Sequence, residues 1–278
     1  MKNRGKIAVI TGGGGTLCGP VALDLAEQGC KIVLVGRRLE VLEKRAAEIR
    51  AKGAECLCIS ADVKDEKRML EVHREINETF GKVSILVNGA GGNQMDVIAS
   101  VNEYQSGELD EGHAFKGWFD LKMDRFLDVI NVNVMGTVIP CQIFSRDMVE
   151  LGGGAIVNFA SMNTYRPLSR VPAYAASKAA VANFTQWLAA YLAPAGIRVN
   201  AVAPGFFWNE RTPKLMLNPD GSLTERAQHI MSHTPMHRFG QAEELRGCVN
   251  WLLDDEKAGF VTGITVPVDG GFLSNAGL

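Results

Sequence analysis

The sequence predicts a single α/β domain built on a doubly wound parallel sheet of about seven strands, with helices on both faces. Three observations carry this. Short apolar, β-rich runs alternate with longer stretches of helical periodicity along the chain. The runs are apolar throughout, as strands covered by helices on both sides must be. Finally, no Pro-, Gly- or Ser-rich linker and no internal repeat divides the 278 residues into parts.

The elements follow in order. Residues 7–10 (Ile-Ala-Val-Ile) form a strand that runs into glycines. Residues 20–28 have helical periodicity and end at Gly29, a C-cap. A second strand covers 31–35. The helix over 39–52 carries Leu39, Leu42, Ala46 and Ile49 on one face and closes at Gly53. A third strand (56–59), a third helix (66–80, closed by Gly81) and a fourth strand (83–88) complete β-α-β-α-β-α-β, which implies right-handed crossovers. The second half continues with helices over 124–151, 173–193 and 243–253, and strands over 155–160, 198–203 and 265–268. Two long connections, 91–123 and 204–241, break the rhythm. Both follow strand C-termini, where open α/β sheets bind ligands, so they read as functional loops, the second as a lid at about 204–241.

Hydrophobic residues make up 46% and charged residues 22%, which suits a globular chain with a sizeable core. The formal net charge of −2 gives no basic field for nucleic acid or an anionic membrane. Four apolar residues at 7–10 are too few for a signal peptide, and no segment is expected to span a membrane, which takes roughly 20 apolar residues. Six scattered cysteines do not make a disulfide scaffold, and the close pair Cys56 and Cys58 lacks a second ligand pair at zinc spacing. The expectation is a cytoplasmic, soluble protein with no metal.

Between the first strand and helix lies Thr11-Gly12-Gly13-Gly14-Gly15-Thr16-Leu17-Cys18-Gly19. Glycines in that context let a pyrophosphate approach the backbone and meet the amides of the helix N-terminus; a tight structural turn is the plainer alternative. After the second strand stands Gly36-Arg37-Arg38, with no carboxylate to accept from a free ribose 2′-hydroxyl. Arg37 and Arg38 favour NADP(H) slightly over NAD(H), unless they are simply solvated beside Glu40 or Glu43.

Tyr174-Ala175-Ala176-Ser177-Lys178 places a phenol and an ammonium on one helix face. A free phenol has a pKa near 10, and a neighbouring cation is expected to lower it toward the range where proton transfer is useful.

With these landmarks the chain resembles the short-chain dehydrogenase/reductase superfamily over nearly its whole length. The others, in order, are Asp62-Val63, Asn88-Gly89-Ala90-Gly91, Asn133-Val134-Met135-Gly136, Ser161 thirteen residues before Tyr174, Pro204-Gly205 and Asp269-Gly270-Gly271. The resemblance implies a Rossmann-type fold and a hydride transfer between NAD(P)(H) and a carbonyl or secondary alcohol. It implies that Tyr174 is the proton donor or acceptor, and that Ser161 holds the substrate oxygen. Lys178 would bind the nicotinamide ribose and lower the pKa of Tyr174, and Asn133 would support a water leading to Lys178. Gly12, Gly14, Gly15, Thr16 and Leu17 would cradle the cofactor, with Asp62 and Val63 at the adenine. Asn88, Gly89 and Ala90 would run beside the ribose, and Pro204, Gly205 and Phe207 complete the set. In the family's Thr-Gly-x-x-x-Gly-x-Gly spacing the last two glycines fall at Thr16 and Cys18, so a shifted turn using Gly15 or Gly19 is expected. Asn209 stands where the family often has a threonine. A homotetramer is implied, packed through the long helices and alanines such as Ala175, Ala176, Ala179, Ala180 and Ala182.

Longer stretches, among them Gly89–Asn93, Ser161–Pro167, Pro204–Phe207 and Val266–Phe272, resemble the D-mannonate oxidoreductase (fructuronate reductase) branch. That implies a sugar acid as the small-molecule substrate. Asn93, Asn163, Arg166 and Arg211 in the strand-end loops are the candidate substrate contacts, with Asn209 and Glu210 beside them; Arg166 is the first choice for the carboxylate and Arg211 the second. Phe206, Phe207 and Trp208 read as lid packing. The alternatives are a reductase of another ketone or enoyl substrate, or a cofactor-binding protein without turnover.

Overall fold

The computed structural model describes residues 3–209 and 216–275. Seven parallel strands form one sheet in the order β3-β2-β1-β4-β5-β6-β7. They are β1 (Ile7–Thr11), β2 (Lys31–Gly36), β3 (Cys56–Ser60), β4 (Ile85–Asn88), β5 (Gly154–Phe159), β6 (Ile197–Pro204) and β7 (Thr265–Val268). The order reverses between β1 and β4, the switch point at which such sheets open a crevice.

Strand alternation divides the core in two. Ala8, Ile10, Ile32, Leu34, Ile85 and Val87 face α1 (Cys18–Glu27), α2 (Leu39–Ala51) and the last long helix. Ile7, Val9, Val33, Val35, Leu86 and Ile156 face α3 (Glu66–Thr79), α5 (Gly136–Glu150) and α6 (Pro172–Leu192). Successive side chains point to opposite faces, so a wholly apolar strand feeds both cores. Caps fix the helix starts. Asp65 accepts from Arg68 N at 3.0 Å ahead of α3, and Pro172 opens α6 at a position where no N–H is needed.

Two elements depart from the expectation. The helix over 124–151 is three pieces: α4 (Met123–Ile130), a π-turn (Asn131–Met135) and α5. Pro140 sits inside α5, and the Thr137 hydroxyl takes up the Asn133 carbonyl at 2.9 Å. A one-residue expansion leaves the apolar periodicity nearly unchanged, so the sequence pattern runs straight through it. By length and composition alone Met123–Glu150 could also cross a membrane, contrary to the expectation. In the fold its Ile143, Phe144 and Met148 are buried against the sheet. The second departure is a helix inside the long connection 204–241, α7 (Glu225–His233), capped by Thr224, which accepts from Ala227 N at 3.3 Å. Ala227, Ile230 and Met231 give it the i, i+3, i+4 stripe that packs on Phe206, Trp208 and Phe239. The last long helix, α8 (Ala242–Leu253), follows with a capping box between Gln241 and Glu244.

Candidate active site

The glycine turn follows β1 directly. Gly12 has φ +65°, and a Cβ there would lie 2.8 Å from the Gly89 carbonyl and the Ala90 amide. Only glycine meets both demands. The β4 end is stitched to the same place: Gly89 N donates to Thr11 O at 3.2 Å and Ala90 N to Thr11 Oγ1 at 3.3 Å. A Cβ on Gly14 would meet Val41 at 2.8 Å, and one on Gly15 the Gly12 carbonyl at 3.0 Å. Cys18, buried at the first turn of α1, stands where the family's glycine is expected. Its Sγ would be 2.1 Å from a Cβ on Gly89, so the space that one partner lacks is supplied by the other. Neither Gly15 nor Gly19 takes a left-handed conformation, but a Cβ on Gly19 would meet the Arg45 guanidinium at 2.6 Å. Thr16 and Leu17 lie half-buried at the helix start. The crevice fits a dinucleotide: glycine backbone at its floor, the N-terminal end of α1 beside it, and Lys178 at its far side.

Arg37 and Arg38 are exposed at the C-terminal end of β2, where the Arg37 carbonyl accepts from Ser60 Oγ at 3.2 Å. Asp62 is half-buried and accepts from Lys64 N at 3.0 Å. Val63 is buried and packs where α5 begins, since a Cβ on Gly136 would meet its Cγ2 at 2.7 Å. The Asn88 side chain is turned away from the crevice. Its Nδ2 donates to Asn158 Oδ1 at 2.9 Å and to Cys141 Sγ at 3.1 Å, and Asn158 in turn donates to Thr185 Oγ1 at 2.9 Å. Its expected place beside the ribose is therefore corrected for the side chain, whose amide nitrogen is bonded inside the layer facing α5 while its Oδ1 is left without a partner there.

Asn133, Ser161, Tyr174 and Lys178 converge from the π-turn, the end of β5 and the first two turns of α6. Asn133 is fully buried; it exchanges bonds with Gly92 (Nδ2 to O at 2.9 Å, N to Oδ1 at 2.8 Å) and donates to Ser177 Oγ at 2.9 Å. Gly91 fits between them, since a Cβ there would be 2.5 Å from Asn133 Oδ1 and 3.5 Å from Lys178 Nζ. Lys178 is buried, donates to Phe159 O at 2.6 Å and lies 5.6 Å from the centre of the Tyr174 ring. Burial lowers its pKa from 10.5 to about 8. Burial likewise raises the Tyr174 phenol above its ordinary value, against a hydrogen bond with Ser161 that lowers it. The expectation that Lys178 pulls the phenol toward neutrality is corrected: burial is the larger influence on the phenol, and the bond with Ser161 the lesser.

The remaining residues take other places. Asn163 is buried beneath Ser161, and its amide is occupied by Ser161 and by Leu168 N. Arg166 is exposed and donates to Asn275 O at 2.9 Å. Asn93 is half-buried and accepts from Gln94 N at 2.9 Å, while Asn209 donates to Phe207 O at 3.4 Å. Arg211 and Glu210 lie outside the described residues. Gly205 N donates to Val268 O at 3.0 Å, and a Cβ on it would strike Asp269 Cα at 2.7 Å. Phe207 lies over Gly240, Phe206 edge-on to Phe272 and Trp208 against Phe239. Phe206 and Phe207 border a cavity of about 370 Å³ with Arg238, Glu244 and Asp269. Sequence reading missed Cys18, Ser177 and the Phe159 carbonyl; their roles depend on contacts between distant segments, which no local spacing announces.

The short chain dehydrogenase family model matches residues 6–216. The chain is 43% identical to an uncharacterized oxidoreductase, UxuB, of Bacillus subtilis over 274 residues, covering 99% of this chain and 97% of that one. It is 34% identical to the 2-dehydro-3-deoxy-D-gluconate 5-dehydrogenase of Dickeya dadantii over 274 residues, covering 98% of this chain and 96% of that one. Among solved structures, a candidate D-mannonate oxidoreductase from Haemophilus influenza with bound NAD superimposes with a TM-score of 0.94 at 38% identity, covering 99% of this chain and 97% of that one. Together with the crevice at the switch point and the convergence of Asn133, Ser161, Tyr174 and Lys178, these matches place the chain in the short-chain dehydrogenase/reductase family: it is an oxidoreductase of that family.

Proposed function

We propose that this oxidoreductase is a ketoreductase of polyhydroxylated sugar acids, of the fructuronate/mannonate kind. The observation that carries the reading is the convergence of Asn133, Ser161, Tyr174 and Lys178 at the crevice, with Ser161 hydrogen-bonded to Tyr174 and Lys178 within 5.6 Å of its ring centre. A nicotinamide cofactor, when bound, would supply the hydride. Ser161 donates to the carbonyl oxygen and orients it, and Tyr174 delivers its proton to that oxygen as charge develops there. Lys178 would hold the ribose of a bound nicotinamide cofactor, and Asn133 fixes the helix segment and the Gly91–Gly92 turn beside it. The sugar-acid class is supported by the Dickeya relative and the Haemophilus structure, and by the polar loops over the strand ends.

Arg166 is the proposed carboxylate partner, since the one hydrogen bond described for its side chain, to Asn275, leaves an edge of its fork for a ligand. Arg37 and Arg38 support NADP(H), whereas NAD occupies the Haemophilus relative. We read exposed arginines as accepting a 2′-phosphate without requiring it, so both cofactors turn over, NADP(H) somewhat better. Turnover of a panel of keto sugar acids and simple ketones with each cofactor, followed by nicotinamide absorbance, tests the reading; preference for the simple ketones refutes it. Arg166→Ala should raise KM for the sugar acid roughly tenfold, about 1.4 kcal/mol, and leave a neutral ketone unchanged.

We also propose a cytoplasmic homotetramer. All six cysteines are free, as suits a reducing compartment. On α6, exposed Ala176, Ala179 and Ala180 lie on the same helix as the exposed, stacked Trp187 and Tyr191, a surface fit for a second copy. A monomer mass by light scattering at micromolar concentration overturns it.

A further inference from the structure

Ser161 caps the short turn Met162–Thr164, and its hydroxyl is met from below by two donors. The Asn163 backbone N–H reaches Ser161 Oγ at 3.2 Å and the Asn163 side-chain Nδ2 reaches it at 3.3 Å. The orientation of that amide is not free. Leu168 N donates to Asn163 Oδ1 at 3.0 Å, so the oxygen end is bound to the loop and the NH₂ end must face Ser161. Asn163 is 5% exposed, so water does not readily stand in for it.

A serine hydroxyl has one proton to give and two lone pairs to receive with. Here both receiving positions are filled from the Asn163 side. What is left is the proton, directed toward Tyr174 and the place of the reacting oxygen. We propose that Asn163 is a positioning residue that makes Ser161 a one-way donor to the substrate oxygen, rather than a substrate ligand. With its lone pairs taken, Ser161 cannot accept the Tyr174 proton and divert it from the substrate. Leu168 N is the outer member of the same chain, so the loop over 162–168 sets the polarity of the hydrogen bond at the reacting centre.

The inference rests on the oxidoreductase assignment and not on the sugar-acid reading, because it is tested on whichever carbonyl substrate turns over. Asn163→Asp keeps shape and the bond from Leu168, but turns a donor into an acceptor that captures the Ser161 proton. Its kcat should fall roughly 100-fold, the scale of losing one donor to a developing oxyanion. Asn163→Ala, which removes one donor and leaves the backbone one, should fall roughly tenfold. In both, KM for the carbonyl and the Kd for the cofactor should change less than about threefold. The deciding measurement is a double-mutant cycle with Ser161→Ala. If Asn163 acts through Ser161, adding either Asn163 substitution to Ser161→Ala changes kcat less than twofold. Full additivity overturns the proposal, as does a raised KM with unchanged kcat, which is the mark of a substrate ligand. Should Asn163→Asp fail to bind cofactor, the Asn163→Ala cycle decides by the same criteria.

Discussion

The two edges of the sheet treat charge in opposite ways. At the N-terminal edge, Lys6 just before β1 and Arg198 at the start of β6 share the Asp255 carboxylate, at 2.9 and 2.8 Å. Partial burial of Asp255 raises its pKa, but the bonds from both cations outweigh that and the net shift is downward. At the C-terminal edge, Lys178 is buried against a neutral carbonyl and its pKa falls to about 8. The cavity at the N-terminal edge is the larger, about 640 Å³ against about 370 Å³ at the lid. Size alone would choose the wrong edge. The difference teaches that charge placed for stability is paired near the surface, whereas charge placed for chemistry is desolvated without a counter-ion.

The largest test of that contrast is Tyr174→Phe. The ring and its packing stay, and only the proton is lost. Turnover should fall by roughly a thousandfold or more while cofactor Kd stays within about threefold. Turnover within tenfold of wild type would remove Tyr174 from its role.

Next comes Lys178→Met, which should separate activity from stability. The folded pKa lies below the unfolded one, so the folded chain gives up a proton that the unfolded chain keeps. The charge therefore costs stability, in full below about pH 8 and progressively less up to 10.5. A fall from 10.5 to about 8 corresponds to about 3 kcal/mol at 1.36 kcal/mol per pKa unit. The Phe159 carbonyl left unpaired offsets part of the gain from removing it. Relative to wild type, Lys178→Met should thus be more stable at pH 7 than at about pH 10, by roughly 2 kcal/mol in denaturant melts, while turnover drops at least ~100-fold. A stability difference independent of pH would contradict the buried-charge account.

Arg37→Asp probes a charge at the active edge that is exposed. The ratio of kcat/KM for NADPH over NADH should fall by tenfold or more, from about 1.5–3 kcal/mol of a charge-assisted contact. An unchanged ratio means that the arginines are only solvated.

The smallest effect belongs to the other edge. Asp255→Asn should cost less than about 1 kcal/mol, since the carboxylate is more than half exposed, and should leave kcat and KM alone. Because its folded pKa is depressed, the contribution is present above the unfolded carboxylate pKa and vanishes as pH falls through the folded value. Altered kinetics in this variant would mean that the two edges communicate.

Much of the scaffold was legible beforehand because apolar alternation and glycine punctuation are local. Each of the seven strands was bounded to within two residues, and Tyr174, Lys178 and Ser161 lie together as their spacing implied. The π-turn was hidden because it conserves periodicity, and α7 because it is short and polar. The direction of the Tyr174 shift was misread because proximity in sequence announces a cation but not how deeply both groups are buried. Asn163 and Asn88 were identified by type and position, but the faces they present depend on Leu168, Asn158 and Thr185, which are distant or lie outside any motif.

The fit of Cys18 against Gly89 has a consequence for how this chain can vary. One thiol's worth of volume sits at the contact between the first turn of α1 and the end of β4, and it belongs to the pair rather than to either residue. Enlarging Gly89 alone produces a collision, and shrinking Cys18 alone leaves a void beneath the cofactor floor. Gly89 is constrained by the current occupant of position 18, and can gain a side chain only after Cys18 has shrunk to the glycine of the family pattern. Drift at this contact therefore has an order, and a variant library that samples Gly89 with Cys18 in place would find it immutable.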